Sequence, residues 1–464
     1  MARGEVEHIQ LVFPSKVNEE YRFTFDRYLK GIQISARELK KMNGYYDALV
    51  PFKNQLKCTD TLTAVWITVQ CPSRVPVGKY HQTIKIEGSK HFTIQLDYNV
   101  HHTTIPLKSS IPITVGVENR CMTEGLNDKE ADKERQRWVD FVLSYRMTPV
   151  FGTQITPERW QYEHSFSPWA WNDKRSIRLL NDRRYSCYML PFFTLSENEL
   201  ASLLCNIQKK GKLKESLFYI WDEPAYMEDY EQIKRKVNII RKYASDARIL
   251  TTFFCGPRNG PRKGDLYAVF DYLKHHIHVA TISLAPCKGN EEEVQHIRYK
   301  VPEGIDWWSY VCWQPGGNEP NFLLQMKGIQ QRAVMWRTWK NGSQGFLYWN
   351  CNIYHKRNPF TYITDMPHGD GILIYPGDIL GCKGPIASAR LERWRDGAEE
   401  MELLRLVEKN YSKEKADTLL NIVYSSPLSF IEKAHNIPFF RKELLDQLDK
   451  TIPIDYKLRI TDFI

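Results

Sequence analysis

The run Leu217-Phe218-Tyr219-Ile220-Trp221-Asp222-Glu223-Pro224 is apolar until it ends abruptly in two adjacent carboxylates and a proline. Two carboxyl groups in one site repel each other and resist desolvation, so one is driven toward the protonated form while its neighbour stays ionised. A proton donor beside a charge stabiliser is what cleavage of a glycosidic bond requires. The plain alternative is that Asp-Glu-Pro only caps the helix that follows. Aromatic and amide residues elsewhere weigh against it. Trp307, Trp308, Tyr310 and Trp313 surround one apolar segment, and Tyr348, Trp349, Asn350 and Asn352 follow another. Trp and Tyr faces stack on sugar rings while amides bond hydroxyls, which makes Trp308, Trp313, Trp349 and Asn350 candidate substrate contacts.

Side chains alternate along a strand, so only two of the four aromatics around 307–313 are expected to reach a ligand. By the same rule Asp222 and Glu223 face opposite ways on an ideal strand, and share a substrate only if the backbone twists or bulges there. Pro224 helps, because it biases Glu223 away from helix and delays the helix start.

The elements that position these residues read as follows. Residues 1–107 give short alternating segments, such as Thr61 to Val69, Tyr80 to Ile86 and His91 to Val100, which predict a β-sandwich, with a helix near Ser35 to Met42. From Ile111 the rhythm becomes strand, loop, helix. The strand candidates are Pro112 to Val117, Thr148 to Gly152, Ser186 to Phe192, Ser216 to Trp221, Arg248 to Phe254, His278 to Leu284, Trp307 to Trp313 and Gly345 to Trp349. Helices are expected at Asp132 to Tyr145, Glu197 to Lys209, Tyr230 to Tyr243 and Asn321 to Lys340. This predicts a (β/α)8 barrel over 108–385, whose catalytic groups sit at the C-terminal strand ends, and a helical segment over 386–464 packed on it. No glycine-rich phosphate loop follows the first strand, against an open doubly wound sheet.

In Gly369 to Gly377 three glycines and a proline shape a turn-rich loop; Asp370 and Tyr375 are the members that could face a ligand. Arg390, Arg395, Asp396 and Glu399 fall at helical spacing and read as a salt-bridged closing helix. His275, His276 and His278 precede a strand, on the wrong end of a barrel, with no partner at ligand spacing, so neither metal nor cofactor is expected.

The 464 residues are 42% hydrophobic and 13% aromatic, a globular composition, and 64 Lys and Arg against 55 Asp and Glu leave a net charge of +9 with no polybasic block. Nucleic-acid binding is not expected without a basic stripe, nor is an integral membrane segment without ~18 consecutive apolar residues. The ten cysteines are scattered with no CxxC pair, which suits buried free thiols. Met1-Ala2-Arg3-Gly4-Glu5 lacks the apolar core of a secretory signal, so the chain is expected to be cytoplasmic or the mature part of an exported protein. P-loop, GxGxxG, HExxH and GxSxG motifs are missing.

Trp221-Asp222-Glu223-Pro224, the run Gly369 to Gly377, and Ser388-Ala389-Arg390-Leu391-Glu392-Arg393-Trp394-Arg395-Asp396-Gly397-Ala398-Glu399-Glu400 together resemble glycoside hydrolase family 123, and Gly4 to Gln10 is similar to the start of that family's N-terminal domain. The resemblance spans nearly the whole chain. It implies a β-sandwich followed by a (β/α)8 barrel, and hydrolysis of terminal β-linked N-acetylgalactosamine with retention, the substrate's 2-acetamido oxygen acting as nucleophile. Carried over, Glu223 is the general acid and base, and Asp222 orients the acetamido group and stabilises an oxazolinium-like intermediate. Tyr310 is the candidate donor to the acetamido oxygen. The chain departs from the family at Ile282-Ser283-Leu284-Ala285-Pro286, where an acidic residue is expected near the end of the sixth strand. Two other readings stay open: a carbohydrate-binding protein on an inactive scaffold, and a hydrolase of non-acetamido sugars with a direct carboxylate nucleophile.

Overall fold

A computed structural model describes residues 1–25, 31–156, 161–354, 358–359 and 369–450. The N-terminal strands are β1 (Val6–Pro14), β2 (Glu20–Phe25), β3 (Gln33–Met42), β4 (Tyr45–Pro51), β5 (Gln55–Lys57), β6 (Leu62–Gln70), β7 (Gly78–Glu87) and β8 (His91–Val100). They form two antiparallel sheets, ordered β1-β6-β3-β4 and β5-β2-β7-β8. Val65, Ile67 and Val69 of β6 face the sandwich core with Phe23, Ile84 and Ile86, while Ala64 and Trp66 join the core shared with the next domain. Both faces of β6 are therefore buried, which is why the expected alternation gives way to the unbroken apolar stretch Ala64 to Ile67 at its centre.

The helix expected at Ser35 to Met42 is instead β3, paired with β6 on one side and β4 on the other. The spacing of its apolar residues misleads. Ala36 faces the sandwich core, whereas Leu39 and Met42 face the barrel side, and a bulge at Lys40/Lys41 flips the alternation between them. The result mimics the three-residue repeat of a helix.

The second domain contains β9 (Ile113–Glu118), β10 (Thr148–Thr156), β11 (Gln161–Ser165), β12 (Tyr188–Met189), β13 (Ser216–Trp221), β14 (Arg248–Phe253), β15 (Val279–Ser283), β16 (Asp306–Val311) and β17 (Gly345–Tyr348). They run in the order β11-β10-β9-β17-β16-β15-β14-β13-β12. The eight strands anticipated from the sequence are all present and parallel; β11 is an antiparallel addition to β10. The barrel is nearly closed, with a seam between β10 and β12. Across it the Thr148 and Ser186 hydroxyls meet at 2.8 Å and the Phe166 amide donates to Met189 O at 2.6 Å. Lacking a ladder on that side, the third barrel strand shrinks from the expected Ser186 to Phe192 to two residues.

The helices are α1 (Asn119–Thr123), α2 (Asp128–Ser144), α3 (Lys174–Leu179), α4 (Glu197–Lys209), α5 (Met227–Arg241), α6 (Ala268–Leu273), α7 (Glu291–Lys300), α8 (Gly328–Lys340), α9 (Ala389–Asn410), α10 (Lys413–Leu420) and α11 (Ile437–Asp449). Short strands β18 (Ile374–Pro376) and β19 (Pro385–Ala387) form a hairpin before α9. α9 packs on α8 and is buried along most of its length despite its charges. Those charges are paired: Glu392 with Arg37 at 2.6 Å and His8 at 3.1 Å, Glu399 with Arg146 at 3.3 Å, Glu400 with Arg332 at 2.5 Å. A charge leaves water at tolerable cost only when so matched. Sandwich and barrel are joined through this helix.

Candidate active site

Inside the barrel, side chains stack in layers. Leu217, Leu250, Val279 and Trp308 belong to the interior core, so two residues further along, Tyr219, Thr252, Thr281 and Tyr310 point the same way, toward the C-terminal mouth. β13 breaks this alternation at its end. Tyr219 pairs with Leu250 and Trp221 with Thr251, two steps on β13 for one on β14. Glu223 then takes a left-handed φ of 44°, a conformation that costs a non-glycine residue about 1–3 kcal/mol. Pro224 keeps Glu223 out of the helix as anticipated, but the backbone lands in the left-handed region instead of the extended one. Asp222 and Glu223 consequently line one open cleft of about 550 Å³, walled by Tyr226, Glu228, Asp229 and Gln232 of the following turn and α5.

The two carboxylates differ in surroundings. Asp222 Oδ1 accepts from the Tyr219 hydroxyl at 2.7 Å and from Thr252 Oγ1 at 2.7 Å. Glu223 Oε1 accepts a short hydrogen bond from the Tyr310 hydroxyl. Desolvation in the cleft, reinforced by the Asp222 charge and opposed by the Tyr310 donor, pushes the Glu223 carboxyl up to about 7. A proton donor at neutral pH therefore sits beside a second carboxylate. On the other side of Asp222 a recess of about 60 Å³ at the barrel axis is lined by Tyr162, His164, Tyr219, Trp349 and Asn350.

The family profile described as "Glycoside hydrolase 123, catalytic domain" matches residues 133–407. The chain belongs to glycoside hydrolase family 123. Among solved structures, a family 123 glycoside hydrolase from Clostridium perfringens, studied for glycolipid glycan hydrolysis, is 14% identical with a TM-score of 0.67, covering 97% of this chain and 92% of that one. A β-galacturonidase from Eisenbergiella tayi is 9% identical with a TM-score of 0.36, covering 85% of this chain and 89% of that one. No curated protein matches. This family 123 member is a glycoside hydrolase, with the sandwich-plus-barrel architecture anticipated above.

The other expected site residues of the hydrolase fall in different places. Tyr310 and Trp313 reach the mouth: Tyr310 touches Glu223, and Trp313 is 44% exposed, near-parallel to Phe254 at 6.5 Å between centroids. Trp349 and Asn350 line the axial recess, with Asn350 Oδ1 accepting from the Asn352 amide at 3.0 Å. Asp370 is fully buried and acts behind the recess wall, accepting from Trp349 Nε1 at 3.0 Å and the Tyr348 hydroxyl at 3.1 Å. Desolvation, opposed by those donors, holds its carboxyl up at about 6.

Trp308 and Tyr375 are placed elsewhere. Trp308 fills the barrel interior one layer below Tyr310, 1% exposed, lying over Gly345, where any Cβ would strike its ring. Trp307 faces the helices. Tyr375 is 2% exposed and donates to Asp47 of the sandwich at 2.5 Å, so it braces the domain junction and not a ligand. His278 lies before β15, at the N-terminal end of the barrel, its Nδ1 accepting from the Ile249 amide; among the described residues no group of three His, Cys, Asp or Glu is placed to hold a metal. Sequence reasoning missed Tyr219, Thr252 and His164. Tyr219 and Thr252 share inward parity with core leucines two residues earlier, the one signal that marks them; His164 lies on the unforeseen β11.

Proposed function

We propose that this hydrolase cleaves terminal β-linked N-acetylgalactosamine, or a related N-acetylhexosamine, with retention and with the substrate's acetamido oxygen as nucleophile. The reading rests on the contrast between the two carboxylates in one cleft. Glu223, pushed up to about 7, is protonated where the reaction begins and gives that proton to the glycosidic oxygen. Asp222 receives two hydroxyl donors on Oδ1 and, among the described residues, has Oδ2 left to accept the acetamido N–H. A neutral amide oxygen is a weak nucleophile, and a carboxylate on its N–H offsets the positive charge that develops as the oxazolinium-like ring closes. Glu223, now ionised, takes a proton from water, which attacks C1 from the face the leaving group vacated. Two inversions give retention.

Trp349, oriented by Asp370, and Trp313 at the mouth supply flat faces for sugar rings. Tyr310 serves Glu223 in this scheme instead of the acetamido oxygen, because its hydroxyl is already committed to that carboxylate.

Aryl β-glycosides with and without a 2-acetamido group test the reading. The expected result is turnover of the acetamido sugars only, inhibition by a thiazoline mimic of the bicyclic intermediate, and loss of activity in Glu223→Gln. A glycosyl adduct trapped on a carboxylate, or equal turnover without the acetamido group, would overturn it.

A further inference from the structure

We propose that Thr252 is a positioning residue for the reaction: one hydroxyl, on the strand beside the acidic pair, sets Asp222 and Glu223 relative to each other. The inference rests on the reading that these two carboxylates act on one substrate. Thr252 is 1% exposed near the end of β14. Its Oγ1 accepts the Glu223 backbone N–H at 3.0 Å and donates to Asp222 Oδ1 at 2.7 Å. A hydroxyl carries one proton and can accept as well as donate, so a single atom spans both residues.

Each half of the bridge solves a separate problem. Glu223 leaves the strand ladder at the bulge and enters a left-handed conformation, so its amide has no strand or helix partner, and an unmet donor is costly. Thr252 satisfies it and thereby supports the backbone that turns the acid into the cleft. On the Asp222 side, Thr252 and the Tyr219 hydroxyl, 3.1 Å apart, converge on the same oxygen. They fix the carboxylate plane and leave Oδ2 for a ligand. The Tyr219 ring is itself held by a stack on His164, 4.3 Å between centroids and 10° between planes. Burial keeps that imidazole neutral, down at about 3, so the cradle carries no cationic charge.

Thr252→Val keeps the shape and removes the hydroxyl; Thr252→Ser keeps the hydroxyl and removes the methyl. Kinetics on the best aryl β-N-acetylgalactosaminide are expected to show kcat down about 10²-fold in the valine variant, as for small misplacements of reacting groups, with KM nearly unchanged and Ser restoring most of the rate. Should the valine variant not fold, Ser against Ala, which both lack the methyl, carries the same decision. A valine or alanine variant as fast as wild type, or a serine variant as slow as its hydroxyl-free counterpart, would overturn the proposal. Failure of the underlying reading looks different: the wild type turns over only non-acetamido glycosides, and the same comparison is then made on those.

Discussion

The hydroxyl of Tyr310, on the seventh barrel strand, donates to Oε1 of Glu223, at the end of the fourth. Desolvation and the neighbouring Asp222 charge raise the Glu223 carboxyl, and this donor, followed by the Arg258 charge, pulls the other way, leaving it at about 7. The proton donor must be protonated, so kcat/KM is expected to fall as pH rises through about 7. A donor to the ionised form lowers the pKa; removing it in Tyr310→Phe should carry the basic limb upward by roughly one unit. A pH profile of the two enzymes checks this. An unmoved limb would mean that the Tyr310 contact does not tune the acid.

Trp308 and Trp313 were both candidate sugar contacts by sequence, and they should now behave oppositely. Trp308→Ala empties the barrel interior and should cost about 3–5 kcal/mol in urea unfolding. Trp313→Ala, at an exposed position, should change stability by less than about 0.5 kcal/mol while raising KM. Equal effects on KM from both variants would contradict the layer assignment.

What the sequence disclosed and what it hid follow from one cause. The barrel strands announced themselves because a parallel strand is buried on both faces and reads as an unbroken apolar run; Leu217 to Trp221 is the clearest case. The acidic pair stood out because charge following such a run has few structural explanations. Their convergence was not visible, since it depends on the bulge on β13 and on a left-handed Glu223, and the hydrogen bonds that hold the pair there come from Thr252, 30 residues from Asp222 and 29 from Glu223 in sequence. Ser35 to Met42 misled for the converse reason: its two faces meet different cores on either side of a bulge. Asp370 and Tyr375 lie five residues apart and yet diverge, one behind the recess, one on β18 facing the sandwich.

That divergence is organised by Arg390. Its guanidinium donates to Asp47 of β4 at 2.9 and 3.0 Å and to the carbonyl of Gly369 at 2.6 Å, with both charged side chains buried. Arg390→Met should destabilise the protein by about 3–5 kcal/mol, because it strands the Asp47 charge. Adding Asp47→Asn should recover part of the loss. Urea titrations of the single and double variants test this, and a double variant no more stable than Arg390→Met would show that the buried charge is not the reason.

Glu118 ends the first barrel strand, 4% exposed, with one oxygen accepting the Arg120 amide. Desolvation is the larger influence and pushes its carboxyl up to about 7 against that bond. A raised folded-state pKa means the folded protein binds the proton more tightly than the unfolded chain, so the associated stability is full below the ordinary carboxyl range and is lost as pH rises through about 7. Glu118→Gln removes the titration and keeps the carbonyl acceptor. Relative to wild type, the variant should therefore gain up to about 3 kcal/mol between pH 5 and pH 8, read from urea unfolding at the two values. Wild-type and variant stabilities that move in parallel with pH would show that this carboxyl is ionised in the fold throughout, and that the protein, not the solvent, stabilises its charge.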